Sequence, residues 1–236
     1  MPYPRRCILS YSIALLAQLG APKRKATAID STPAAVNSLA RQNLLNALQH
    51  QDGGKVEFFI DQLLQSDPSN GNGAVDTALG GNWRLLWSAR AEAFSPLLNL
   101  PPGLRPESYQ LLGEAAARQV GSGRIAQVLD FPFGLHARLS SGAVADNSST
   151  LRIEPPFRLD FGIGPLPPFT VVESGSDADF RALNARNAAA QAAPRNRLVV
   201  EYLDVSGTGG DLRVSRVVDG DPVIVGSRFL HQRVID

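Results

Sequence analysis

The residues equipped for chemistry are few and scattered. Three histidines occur, His50, His136 and His231, at an expected helix end, inside an expected strand and near the C-terminus. None has a second ligand at metal spacing, so the pattern predicts no metal site. His136 reads as a half-buried structural histidine rather than a catalyst. Glu154 and Asp160 would do acid–base work only inside one shared pocket, and solvated or ion-paired acids are the plainer reading. Asp204, Asp211, Arg213 and Arg216 form the densest charged cluster and read as an ion-paired rim. No serine sits in Gly-x-Ser-x-Gly, and no Walker-type phosphate loop occurs. Gly71-Asn72-Gly73 neither follows a strand nor opens a helix, so it is a loop and not a dinucleotide fingerprint. These residues predict a protein without catalytic residues or a cofactor.

The aromatic residues are better placed for a ligand. Trp87, Phe131, Phe133, Phe157, Phe161, Phe169 and Tyr202 would either line an apolar cavity of the kind small molecules occupy or fill a core. Trp83 and Arg213 read as a structural pair. The guanidinium would stack on the indole and bond nearby carbonyls, closing one end of the fold at about 1 kcal/mol of stacking. Leu97-Leu98-Asn99-Leu100-Pro101-Pro102, with Phe94 before it, is an apolar loop, either a lid or a lipid-surface contact, or else buried against the domain.

Positioning these residues requires a sheet. Trp83, Leu85 and Trp87 alternate with Arg84, Leu86 and Ser88, the period of a strand. Further strands are predicted over 124–131, 135–139, 150–154, 157–161, 197–203, 211–217 and 222–230. Pro132, Gly142 and Pro155-Pro156 separate several of them, and Val218-Asp219-Gly220-Asp221 is a hairpin signal. Residues 95–121 read as irregular, with 108–119 as a candidate short helix, and 162–168 as a rigid turn. Ahead of the sheet, Val36, Leu39, Ala40, Leu44, Ala47 and Leu48 recur at helical spacing within 33–50. Gly53-Gly54 is expected to stop that helix, and a second spans about 56–65. The helical hairpin is expected outside the sheet or across one end. About eight evenly spaced strands predict an up-and-down antiparallel barrel, either filled or holding one small ligand.

Composition bounds the rest. The 236 residues, 44% hydrophobic and 19% charged, suit one domain with a sizeable core. Residues 1–29 hold Arg5, Arg6, Lys23, Arg24 and Lys25 and no acid, leaving 18 basic against 22 acidic residues elsewhere, a balance of −4. That gives no electrostatic case for nucleic acid. The basic stretch reads as a targeting leader with a cleavage-like Ala26-Thr27-Ala28, or as an uncleaved disordered N-terminus. Residues 174–195 are polar and Ala-rich, either a helix or a mobile insertion without an apolar face. Cys7 is alone and makes no internal disulfide.

A glycine two residues before a strand-opening tryptophan, here Gly81-Asn82-Trp83, is a lipocalin-like entry signal. With Arg213 late in the chain it predicts that the first and last strands meet. The chain also resembles the plastid lipid-associated proteins, or fibrillins, over roughly residues 35–230. The matching segments are Gly80-Gly81-Asn82-Trp83-Arg84-Leu85-Leu86-Trp87-Ser88, Gly123-Arg124-Ile125-Ala126-Gln127-Val128-Leu129-Asp130, and Tyr202-Leu203-Asp204 with Asp211-Leu212-Arg213-Val214-Ser215-Arg216. The last is interrupted here by Val205–Gly210, where the family runs nearly contiguously. The resemblance implies a lipocalin-like barrel over 80–232 behind a helical hairpin at 33–66. It implies non-catalytic binding of a carotenoid, prenylquinone or other lipid at thylakoids or plastid lipid droplets. The alternatives are a coat or interaction protein with a filled barrel, or an enzyme on a hydrophobic substrate using His136 or an interior acid.

Overall fold

A computed structural model describes residues 33–89, 96–101, 103–113, 124–164, 166–174, 195–206 and 210–234. The expected leader, Phe94 and most of the Ala-rich 174–195 stretch lie outside the described residues. Two helices, α1 (Pro33–Gln49) and α2 (Gly53–Leu64), precede nine strands: β1 (Gly81–Ser88), β2 (Glu107–Leu112), β3 (Arg124–Asp130), β4 (Leu135–Ala145), β5 (Thr150–Ile163), β6 (Phe169–Ser174), β7 (Arg197–Asp204), β8 (Leu212–Asp219) and β9 (Arg228–Val234). All pair antiparallel in one sheet of order β4-β3-β2-β1-β9-β8-β7-β5-β6. Because β4 also pairs with β5, eight strands close into a ring, with β6 flanking β5 outside it. The first strand of the ring pairs with the last, β1 with β9.

The inward face follows from packing. Trp83, Leu112, Ile125, Leu151, Val200 and Leu203 come from five different strands around the ring and a sixth inward position on β7, yet pack together. Only a shared interior allows that. Ala74 and Leu79, from the segment between α2 and β1, complete this layer and close one end of the ring. The opposite face of β7, β8 and β9 presents Tyr202, Leu212, Val214 and Leu230 to Leu44, Ile60 and Leu63 of the helices. The helical hairpin therefore packs outside the ring. It is tied down by a buried ion pair, Arg41 to Asp204 at 2.9 Å, and by Arg228, which bridges Asp61 of α2 and Glu201 of β7.

Several elements depart from the sequence expectation. Gly53 and Gly54 open α2 instead of ending α1; Asp52 caps it by accepting from the Lys55 amide. Strand β2 occupies a stretch expected to be irregular or helical, because its inward positions, Ser108 and Gln110, are polar and hide the apolar alternation. Strand β6 follows directly on the predicted rigid turn. Pro155 and Pro156 do not divide β5. They fall between its pairing to β7 (Thr150–Arg152) and its pairing to β6 (Phe157–Phe161). No ladder bond is lost there, and the register against β4 shifts at the same place. The predicted strand from Pro222 begins at Arg228, since residues 222–226 form a turn. Gly220 (φ +124°) opens that longer connection.

Candidate functional site

Register places the inward residues in layers. Leu85, His231, Arg213 and Leu203 lie side by side across β1, β9, β8 and β7. Below them, toward the closed end, Trp83 lies opposite Arg233 and Gln110. Above them, Ser88, Phe229, Ser215 and Val200 form the next row.

Trp83 is fully buried, and its indole N–H donates to the Leu79 carbonyl at 2.8 Å. Two guanidiniums lie over its ring, Arg213 with its central carbon 5.0 Å from the centroid and Arg233 at 4.6 Å. Their partners differ. Arg233 donates to the Ala78 carbonyl and pairs with Asp211 at 2.9 Å, so the carbonyl bonding expected of Arg213 is made by Arg233. Arg213 crosses the interior instead and donates to Gln110 Oε1 on β2 at 2.5 Å. Gly81 (φ +146°) precedes the indole. A Cβ there would stand 3.2 Å from the Arg233 guanidinium, so glycine lets the arginine and tryptophan close over the strand entry.

The interior is electrostatically one-sided. Arg213 is only 1% exposed and forms no ion pair among the described residues. Burial and the neighbouring Arg233 charge pull its pKa down to about 9, so it stays cationic at neutral pH. Burial and the charge of Arg213 hold His231 well below the usual histidine range, so it is neutral there. Arg213 Nε, His231 Nδ1, Ser215 Oγ and Ser227 Oγ are all buried without a hydrogen-bond partner. Arg213, Ser215 and His231 project inward from the adjacent strands β8 and β9, and Ser227 lies just before β9. No Asp or Glu occupies an inward strand position among the described residues.

Higher up, the wall is apolar. Leu129, Ala137 and Phe161 lie in one row across β3, β4 and β5. Leu139, between Gln127 and Leu159 in register, also faces inward, yet is 51% exposed.

The predicted ligand aromatics divide. Phe157 and Phe161 are inward, and Phe169 stacks on Phe161 at 6.2 Å from the flanking β6. Phe131 follows the inward Leu129 at the same strand parity. Phe133 sits at 93% exposure in the turn after β3, with φ +73°, outside any cavity. Trp87 and Tyr202 belong to the helix-facing layer. A register shift in β1 between Leu85 and Trp87 turns the indole outward, and the Tyr202 hydroxyl donates to Asn37 at 2.9 Å. The charged cluster also separates: Asp204 pairs with Arg41, Asp211 with Arg233, and Arg216 with Glu201 on the outer face, while Arg213 points inward. Glu154 and Asp160 are both outward, bound to Arg152 and Arg158 respectively. His136 is outward too, packed over Gly162.

The sequence reading did not reach the polar strip on β8 and β9. Its signal was the spacing Arg213, Ser215 and Phe229, His231, two inward pairs of period two, legible once both strand limits are known. Among the described residues no cluster of His, Cys, Asp or Glu is arranged to hold a metal, and no helix is long and apolar enough to cross a membrane. Comparison of the chain with protein-family models, curated proteins and solved structures gives no significant match.

Proposed function

We propose that the ring is a lipocalin-like barrel that carries a hydrophobic small molecule without transforming it, a carotenoid, prenylquinone or other lipid. The plastid setting, at thylakoids or lipid droplets, rests on the fibrillin-like sequence segments alone. The observation that carries the binding reading is Leu139, inward-facing and half exposed beside an apolar wall. An eight-stranded closed sheet has room either for side chains or for one small guest. A guest that buries its chain there gains about 0.8 kcal/mol per methylene. Among the described residues the inward strand positions carry no acid that an enzymatic reading would use, and His136 lies on the other side of the sheet.

The test is loading. Purified protein incubated with a prenylquinone or carotenoid should elute from gel filtration as a 1:1 complex, and Leu139→Arg should abolish retention with an unchanged circular dichroism spectrum. Absence of a complex with every such lipid overturns the reading.

A second reading, a surface-acting protein, is favoured by one feature. The turns at the end of the ring away from Trp83 carry exposed apolar side chains, Phe133, Ile163, Leu166 and Phe169. Such a rim fits shallow contact with a lipid surface.

A further inference from the structure

We propose that Arg213, His231 and Ser215 form a head-group site for the carboxylate of an amphiphilic ligand whose chain lies along the apolar wall above them. The inference rests on the carrier reading and specifies its ligand class. Arg213 is a buried cation with no carboxylate partner among the described residues, reaching across the ring to a neutral amide. Its Nε, the Ser215 hydroxyl and His231 Nδ1 are buried and unpartnered. A fold that needed Arg213 only to brace Trp83 already has Arg233 in that place, stacked on the same ring and neutralised by Asp211. Groups left unsatisfied in a dry interior are costly unless something completes them.

The missing group must be anionic, to match the guanidinium, and rich in acceptor lone pairs, to take the free N–H and hydroxyl. One permanent cation beside a neutral imidazole matches a single negative charge. A carboxylate fits this better than a phosphate dianion, and it accepts from a guanidinium in parallel. Phe229 in the row above, and Leu129, Leu139 and Leu159 on the facing strands β3, β4 and β5, offer apolar surface that suits a hydrocarbon chain. Carboxylate at the Arg213 row and chain toward the open end is the one orientation that satisfies both halves of the interior.

The test compares two probes of one chain length, oleic acid and oleyl alcohol, by calorimetric titration of the full chain at neutral pH. The acid should bind roughly tenfold to a hundredfold more tightly, the discrimination expected when charged hydrogen bonds are gained. Arg213→Gln should bring the acid down to the alcohol's affinity. Should that variant not fold, Ser215→Asp decides: it supplies a carboxylate from the chain itself and should remove the preference for the acid. Equal binding of acid and alcohol by the native chain overturns the head-group site and leaves the carrier reading standing. Persistence of the preference in the folded variants also overturns it. Failure of both probes to bind overturns the head-group site, and the carrier reading falls with it only if the prenylquinone and carotenoid loading also gives no complex.

Discussion

His231 shows how one side chain ties the interior to solution conditions. Its pKa is held down by burial and by Arg213, so below the unfolded value of 6.5 the unfolded chain binds a proton that the folded chain refuses. Stability is therefore fully present above about pH 6.5 and falls as pH drops through the window beneath it. The slope is about 1.4 kcal/mol per pH unit until the folded pKa is reached. Chemical denaturation should give a stability that is flat from pH 7.5 to about 6.5 and approaches that slope below it, and His231→Gln should flatten the lower limb. The sequence disclosed this histidine but not its setting, because nothing local tells a strand residue which way it faces. Trp83 was legible for the opposite reason: a glycine and a tryptophan at fixed spacing are a local signature. Its second arginine was not, since Arg233 reaches it only through the pairing of β1 with β9.

Among the elements, the helices were the easiest to read, because an apolar stripe at helical spacing needs no partner to be recognised. The strands were legible where the inward positions are apolar. β2 was hidden by Ser108 and Gln110, and β5 was read as two strands because of two prolines that cost nothing where no neighbouring strand asks for their N–H. The element connections make two sharp predictions. Gly220 holds φ +124°, and a Cβ there would lie 2.0 Å from Asn196 Oδ1 and 2.7 Å from its Cα. Asn196 Oδ1 also accepts from the Asp221 amide. Gly220→Ala should thus cost more than the roughly 1–3 kcal/mol of ordinary overpacking, read as a lowered denaturation midpoint at unchanged slope. Arg41→Met should destabilise by about 3–5 kcal/mol, because it leaves Asp204 buried without its cation. Asp204→Asn in the same background should recover part of the loss, and a double-mutant cycle would measure how much.

At the scale of the whole molecule, the two ends of the ring are chemically unlike. One is sealed by Leu79, Trp83 and their two arginines. The other carries the exposed apolar turns. The closed ring was anticipated from the tryptophan signal and the even strand spacing. The division into an end sealed around Trp83 and an end with exposed apolar turns was not, since it depends on the stagger of all eight strands. If the open end touches lipid, Phe133→Ser should leave stability within about 0.5 kcal/mol, as surface substitutions generally do. The same change should reduce co-flotation with vesicles of neutral galactolipid or phosphatidylcholine. Unchanged flotation would remove the surface-contact reading.

The ring's circumference is unevenly stitched. β4 and β5 run together from Leu135 to Ala145, whereas β5 meets β7 only at Thr150, Leu151 and Arg152, with flanking amide bonds from Ile153 to Asn196 and from Val200 to Ser149. This short seam is where the ring parts most cheaply. Deuterium should enter the amides of 150–152 and 197–199 sooner than those midway along β4, and a bound guest that braces the wall should slow that entry.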